Sequence, residues 1–201
     1  IAEGRRPVNG PRAFSFLTRS RLTEPGAANI IKSEDMREVT DMVRQMVSRS
    51  AEFQRFETIK RNREKRTQQK LVFVEGVHPI EQAVAHGWQF AAMGYAGSRR
   101  LSGWAQDMLA KAHPEIVFEM SPMLHDELSD RENPCELVAL LRQRTDGLER
   151  MTKRARETAN PLFVLFDRPQ GPGNLGTLLR SADAFGAAGV LTTGHAADFY
   201  D

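Results

Sequence analysis

The feature that most constrains the fold is a regular alternation of strand-like and helix-like runs between residues 71 and 142. Four short apolar runs predict strands, at Leu71–Glu75, Phe90–Tyr95, Ile116–Met120 and Leu137–Leu141. Stretches with helical spacing or capping residues separate them and predict helices that include Pro79–Gly87, Ser102–Ala112 and Ser121–Leu128. Strands that alternate with helices form a mostly parallel sheet covered on both faces. We therefore expect an α/β domain over residues 70–143.

The region before this domain has a different pattern. Residues 1–32 combine prolines and glycines with arginines and show no periodicity, which predicts a flexible basic arm. Over residues 33–69 we expect a helical extension made of two helices. The first begins after Ser33 and carries apolar residues at helical spacing as far as Val47, and the second runs from about Ala51 to Gln68.

The charge of the chain is unevenly distributed, although the net charge is only +2. Residues 1–70 hold sixteen Lys and Arg against nine Asp and Glu, whereas the remainder holds twelve against seventeen. A basic half favours a polyanionic partner, but a run of charge is also typical of a solvated helix face. If the partner is RNA, the expected phosphate contacts are the four cations at the end of the second helix: Arg61, Arg63, Lys65 and Arg66.

Several classes of protein are disfavoured by composition. Cys135 is the only cysteine, so the chain cannot form an internal disulfide, which is typical of a reducing compartment. Histidines and methionines show no metal-ligand spacing, so no metal is expected. The apolar runs are too short to span a bilayer, and we expect a cytoplasmic protein with no membrane partner.

A linking helix is expected over residues 144–160, followed by a buried strand at Leu162–Phe166 and a glycine-containing loop. A helix with an inward apolar stripe follows the loop, and a last strand is expected at Val190–Thr193. The residues of the stripe are Leu175, Leu178, Leu179, Ala182 and Phe185.

Three glycines in this segment, Gly171, Gly173 and Gly176, have the spacing of a dinucleotide-binding fingerprint. The match is weak because four residues separate the strand from the first glycine and Pro172 removes one loop amide. The next strand also ends without a carboxylate for a ribose diol. A dinucleotide-binding protein is therefore the least favoured alternative.

The polar residues of the same segment suggest a different ligand. Asn174 stands at the helix entrance, and the fork of donors on Arg180 suits a phosphate or ribose oxygen. Gly173 and Gly176 would let a ligand or another backbone approach closely. The alternative for Arg180 is a surface ion pair with Asp183.

Two stretches carry a resemblance to a known family. Residues 174–187, NLGTLLRSADAFGA, resemble the first signature motif of the SpoU branch of the knotted SPOUT RNA methyltransferases. The stretches VEGVH at Val74–His78 and LSDRENP at Leu128–Pro134 resemble the two ends of the small RNA-binding domain that precedes the catalytic domain. Cys135 and Glu136 depart from the family, which usually has a glycine there. The resemblance covers roughly residues 55–201.

The resemblance implies a fold and an activity. The fold is a small, ribosomal-protein-like α/β/α RNA-binding domain over residues 70–143, followed at 161–201 by the first half of a knotted α/β methyltransferase domain. The activity is methylation of a ribose 2′-hydroxyl in transfer or ribosomal RNA with S-adenosylmethionine. Glu75 is carried over as an RNA-binding residue, and Asn174 and Arg180 as catalytic residues.

Other features of the family stay open for this chain. Arg180 is expected to orient the hydroxyl and stabilise the developing oxyanion rather than act as a base, because guanidinium hardly loses its proton. The cofactor-binding residues are not identified, and a homodimer through the methyltransferase domain is implied. The family's later motifs are absent, so either the parent protein continues beyond this sequence or the chain is a truncated pseudoenzyme. An RNA-binding module without catalysis is the alternative function.

Overall fold

The computed structural model describes residues 12–14, 43–98, 100–144 and 147–200. The chain divides into two compact units. The larger unit is Pro25–Gln143, and the C-terminal unit combines Arg144–Asp201 with Ile1–Glu24. Within the described residues, no helix has the length and apolar character needed to cross a membrane.

The larger unit is built on a five-stranded sheet, which contains the four strands expected from sequence and one more. The strands are β2 (Val43–Met46), β3 (Leu71–Glu75), β4 (Phe90–Ala96), β5 (Val117–Met120) and β6 (Leu137–Arg142), in the order β2-β5-β4-β6-β3. The helices between them are α3 (Val77–Ala85), α4 (Gly103–Ala112) and α5 (Pro122–Leu128). The α/β alternation over residues 71–142 is therefore confirmed.

The direction of one strand differs from the expectation of a mostly parallel sheet. Strand β5 runs parallel to β2 and β4, but β6 runs antiparallel to both of its neighbours, β3 and β4. A parallel β6 would need a crossover that returns to the opposite end of the sheet. Helix α5 has only seven residues, and the segment 129–136 after it leads into β6 at the end of the sheet where β4 finishes.

The predicted second helix is present but broken in two. Helix α1 (Ala51–Arg61) begins at Ser50, whose hydroxyl accepts from the Phe53 amide. Asn62 ends α1 and caps α2 (Arg63–Gln69) by accepting from the Lys65 amide at 3.0 Å. Three side chains of α1 are fully buried against the sheet: Phe53, Phe56 and Ile59. These helices belong to the core of the larger unit and are not a separate extension.

The expected helix up to Val47 is wrong where it can be checked. Val43–Met46 is a strand that pairs in parallel with β5, and the rest of that predicted helix lies outside the described residues. A segment of four residues is too short for its periodicity to be decisive, so tertiary pairing decides its structure. Here the ladder with β5 and the burial of Met46, which is 3% exposed, favour the strand.

The C-terminal unit is built on a three-stranded sheet. Its elements are β1 (Arg12–Phe14), α6 (Gly147–Glu157), β7 (Phe163–Asp167), α7 (Pro172–Ala184) and β8 (Gly189–Thr193), and the strand order is β1-β8-β7. Strands β7 and β8 are parallel, and β1 runs antiparallel to β8. The flexible arm is thus contradicted at Arg12–Phe14, and the rest of residues 1–32 lies outside the described residues.

The core of this unit is small. It consists of Ala182, Ala187 and Val190, with partly buried leucines from α7, and Leu175 is also buried. Helix α6 lies close to β8, because a Cβ atom added at Gly189 would be 2.6 Å from Cγ of Met151.

Two expectations about burial in this unit are wrong. The strand β7 is not buried on both faces, because Phe163 and Leu165 are exposed and β7 stands at an edge of the sheet. Phe185 is 81% exposed instead of completing the apolar stripe. It follows the last residue of α7, so the helical spacing no longer determines its direction.

Candidate functional site

The loops at the carboxyl ends of β7 and β8 are joined by hydrogen bonds. The side-chain nitrogen of Gln170, Nε2, donates to the backbone carbonyls of Arg168 and His195 at 3.0 and 3.1 Å. The backbone N–H of Ala197 donates to the carbonyl of Pro169 at 2.6 Å. The carboxyl ends of parallel strands are where open α/β sheets bind ligands. The two loops therefore form a connected edge beside the start of α7.

Asp167 stabilises this edge electrostatically. Its carboxylate accepts from the Thr193 hydroxyl and from Arg168, whose Nε lies at 3.0 Å. The hydroxyl of Thr193, followed by Arg168, lowers the pKa of Asp167 from its ordinary value. The carboxylate is consequently ionised at neutral pH, and its partners are the next residue, Arg168, and the last residue of β8, Thr193.

Helix α7 begins earlier than the sequence predicted. Gly171 is its N-cap and Pro172 its first residue, a position at which the missing proline N–H costs no hydrogen bond. Gly173 and Gly176 thus lie inside the helix and not in a loop. The dinucleotide fingerprint needs its glycines in the turn before the helix, so this geometry does not support that alternative.

One face of α7 is polar and carries the predicted site residues. Gly173, Gly176, Thr177 and Arg180 follow helical spacing along it, opposite the buried Leu175 and Ala182. Arg180 donates from Nη2 to Oγ1 of Thr177 at 3.0 Å. The alternative ion pair with Asp183 does not form within the described residues.

Asn174 lies at the edge of this face, in the first turn of α7. Its side chain is exposed and makes no hydrogen bond to the part of the chain that the structure describes. Gly173 is equally open, since a Cβ atom placed there would meet nothing within 4 Å. At Gly176 the neighbour is Nη1 of Arg180, 3.6 Å from such an atom, and not a second backbone.

The predicted phosphate contacts separate into two groups. Arg61, Arg63 and Lys65 are exposed on α1 and α2, where Arg61 pairs with Glu57 at 3.3 Å. Arg66 is only 3% exposed, and its Nη1 donates to the carbonyls of Ile59 and Lys60 at 3.2 and 2.7 Å. A guanidinium buried in this way cannot reach a phosphate, so the prediction for Arg66 is corrected to a structural role.

Glu75, predicted to bind RNA, is occupied within its own unit. Its Oε1 accepts from the Ser129 hydroxyl and from the Cys135 amide, the latter at 3.3 Å. These contacts tie the end of β3 to the segment before β6. The Cys135–Glu136 departure from the family pattern lies in the same segment, and Glu136 accepts from the amide and hydroxyl of Ser102.

Sequence reasoning missed Thr177. Its position three residues before Arg180 places both side chains on one side of a helix, which was the available signal. The described residues hold no group of three or more side chains suited to a metal ion.

Comparisons with known proteins find relatives that match most of this chain. Residues 50–147 match the family model of the SpoU L30e-like domain. The chain is 44% identical over 165 residues to a 23S rRNA (uridine(2479)-2'-O)-methyltransferase of Streptomyces viridochromogenes, covering 82% of the chain and 56% of the relative. The chain therefore spans little more than half the length of this curated relative.

Two solved structures of methyltransferases resemble the structure of this chain. The SpoU methyltransferase AviRb of Streptomyces viridochromogenes, in complex with AdoMet, is 42% identical with a TM-score of 0.67, over 76% of this chain and 56% of that one. An AdoMet-bound rRNA methyltransferase from Sinorhizobium meliloti is 24% identical with a TM-score of 0.65, over 79% of this chain and 57% of that one, and supports the fold alone.

Proposed function

Because the chain belongs to the SpoU family of RNA methyltransferases, we propose that the protein transfers a methyl group from S-adenosylmethionine to a ribose 2′-hydroxyl of ribosomal RNA. The observation that supports the proposal is the polar face of α7, on which Arg180 is exposed with Asn174 exposed at its edge; we propose these two as the catalytic residues. The identity to a ribosomal RNA 2′-O-methyltransferase supports ribosomal over transfer RNA.

The chemistry available to Arg180 follows from its hydrogen-bonding groups. A guanidinium carries five N–H donors in a planar fork and no acceptor. It can therefore hold a ribose or phosphate oxygen and stabilise negative charge as the hydroxyl loses its proton. Among the residues that the structure describes, none hydrogen-bonds to the side chain of Asn174, whose amide offers a donor and an acceptor at the edge of the same face. The two residues together position the nucleotide, which is the main requirement of an in-line methyl transfer.

The methyl donor needs more than this face. S-adenosylmethionine supplies an activated methyl group, but a molecule of its size is held in an enclosed, mostly apolar cleft. The face of α7 is open and polar, with Asn174 and Arg180 both exposed. It suits a nucleic-acid backbone and does not by itself fit the cofactor, and we assign no cofactor-binding residue.

The larger unit supports RNA as the partner. Arg61, Arg63 and Lys65 are exposed in succession at the junction of α1 and α2, as expected for contacts to phosphates. An RNA substrate and the lack of a spanning helix in the described residues are consistent with a cytoplasmic location. We also propose a homodimer through the C-terminal unit, which leaves Leu165 and Phe185 exposed.

The test is methyl transfer by the full-length protein. Arg180→Ala should lower the rate of transfer of a labelled methyl group to ribosomal RNA by at least about 100-fold, because a donor to the developing charge is lost. Arg156→Ala, which removes an exposed arginine of helix α6, should leave the rate unchanged. Mass mapping of the product should place the label on a ribose.

The result also separates the alternative function. A folded full-length protein that binds RNA but transfers no methyl group to any cellular RNA would contradict the proposal and favour a non-catalytic RNA-binding module. An Arg180→Ala variant as active as the parent would contradict the role of Arg180 alone.

A further inference from the structure

We infer that Thr177 is a positioning residue for the proposed methyl transfer, because its hydroxyl holds the guanidinium of Arg180 in place on the polar face of α7. The inference rests on the proposed function and extends it to a residue outside the Asn174–Arg180 pair. It depends on three contacts among neighbouring residues of one helix.

The first two contacts form a directed chain of hydrogen bonds. Oγ1 of Thr177 lies 3.0 Å from the carbonyl oxygen of Gly173 and 3.0 Å from Nη2 of Arg180. Guanidinium can only donate, so Arg180 donates to the hydroxyl oxygen. The hydroxyl then uses its single proton on the Gly173 carbonyl, which fixes its orientation.

The third is the approach of the guanidinium to Gly176. A Cβ atom at that position would lie 3.6 Å from Nη1 of Arg180, an ordinary van der Waals distance. The guanidinium thus lies beside Gly176, while Nη2 is hydrogen-bonded to Thr177. The hydrogen bond to Thr177 restricts the position of the group, and its remaining N–H donors can serve a substrate oxygen.

Holding the guanidinium in place reduces the conformational entropy that Arg180 loses when the transition state forms. An arginine side chain is long and flexible, and an unrestrained one would lose rotamer freedom when the transition state forms. A guanidinium that is already held in place avoids part of that loss. The effect should appear mainly in kcat, because the correct orientation matters most where charge develops.

The experiment compares two substitutions in the full-length protein. Thr177→Val keeps the shape of the side chain but removes the hydroxyl, and Thr177→Ser keeps the hydroxyl. We expect Thr177→Val to lower kcat by roughly 10-fold while KM for RNA changes by less than about twofold, as for the loss of one hydrogen bond to a charged group. Thr177→Ser should retain most of the parental kcat.

The chain offers a matched control in helix α6. The hydroxyl of Thr152 donates to the carbonyl of Leu148 at 2.9 Å, which is the same contact to the preceding turn on an exposed helix. Thr152→Val should leave kcat unchanged. Its midpoint of thermal unfolding shows how much stability such a substitution costs, and Thr177→Val should shift the midpoint by no more.

A double substitution tests whether Thr177 acts through Arg180. Adding Thr177→Val to Arg180→Ala should cause no further loss, because residues that act as a unit are not additive. A further tenfold loss, or a Thr177→Ser variant as slow as Thr177→Val, would overturn the inference.

The outcomes separate this inference from the proposed function. If the parent is active, Arg180→Ala is inactive and Thr177→Val retains full kcat, the positioning role is wrong and the proposed function stands. If the folded parent transfers no methyl group, the proposed function fails and the role of Thr177 fails with it.

Discussion

At the scale of single residues, neighbouring cations of one sequence cluster have opposite roles. Arg63 and Lys65 are exposed, whereas Arg66 is buried and donates to carbonyls in the last turn of α1. Composition and spacing could predict the cluster but not which member turns inward. Asn62 has an extended backbone between the two helices, so the helical spacing of α1 does not continue into α2 and does not predict which of its side chains is buried.

This difference gives a prediction for RNA binding. Lys65→Gln should weaken RNA binding and reduce the dependence of log K on log salt by close to one unit, because one phosphate contact is lost. Arg66→Gln should instead lower the free energy of unfolding by about 2 kcal/mol, the cost of leaving buried carbonyls without donors. Binding titrations at several salt concentrations and urea unfolding measure the two effects.

The two variants serve as controls for each other. The folded Arg66→Gln protein should keep the parental salt dependence, and Lys65→Gln should keep the parental unfolding midpoint. A reduced salt slope for folded Arg66→Gln would restore Arg66 as a phosphate contact.

At the scale of elements, helix ends with a capping residue were predictable from the sequence. The hydroxyl of Ser102 caps α4 by accepting from the amide of Ala105, and Gly87 adopts the left-handed φ of 62° expected of a glycine just after α3. Strand β2 was not predictable, because four residues fit either periodicity and only the neighbouring β5 distinguishes them. The direction of β6 depends likewise on the length of α5 and not on any residue of the strand itself.

The packing of α6 on β8 gives a prediction at this scale. Gly189→Ala places a methyl group where Cγ, Sδ and Cε of Met151 all lie within 2.8 Å, so the buried Met151 side chain, or the helix that carries it, must shift. We expect a loss of about 1–3 kcal/mol in the stability of the C-terminal unit, as for overpacking of a core. Hydrogen exchange of the β8 amides, followed by mass spectrometry, measures it.

Met151 supplies the control for this prediction. In a Met151→Ala background the space beside Gly189 is open, and the same Gly189→Ala substitution should cost less. Equal costs in the two backgrounds would show that the close approach of α6 is not the cause.

At the scale of the whole molecule, the two units differ in how completely they bury their apolar residues. The larger unit encloses a core that extends from Met46 to Leu140 and leaves three large apolar side chains exposed, Val47, Val77 and Met123. The C-terminal unit, although smaller, leaves five exposed: Leu148, Leu162, Phe163, Leu165 and Phe185. Sequence periodicity identified these residues as apolar but could not reveal that β7 is an edge strand and that α7 ends before Phe185.

We propose that the dimer contact is formed by the exposed apolar side chains of the C-terminal unit. The full-length protein should sediment as a dimer at micromolar concentration, because apolar surface of this kind is typical of protein interfaces. A fragment of residues 43–143, which carries the closed core, should sediment as a monomer. A dimeric fragment, or a monomeric full-length protein, would contradict the placement of the interface in the C-terminal unit.

Gln143, the residue after β6, is hydrogen-bonded to the segment that connects α2 to β3. Its amide donates to the carbonyl of Lys70 at 2.7 Å, and its side chain donates to the carbonyls of Arg66 and Leu71 at 3.2 and 3.1 Å. Helix α2 therefore cannot separate from the sheet unless the hydrogen bonds of Gln143 also break. In local unfolding, the two segments should open and close as one cooperative unit, so that a ligand that stabilises α2 also stabilises the segment after β6.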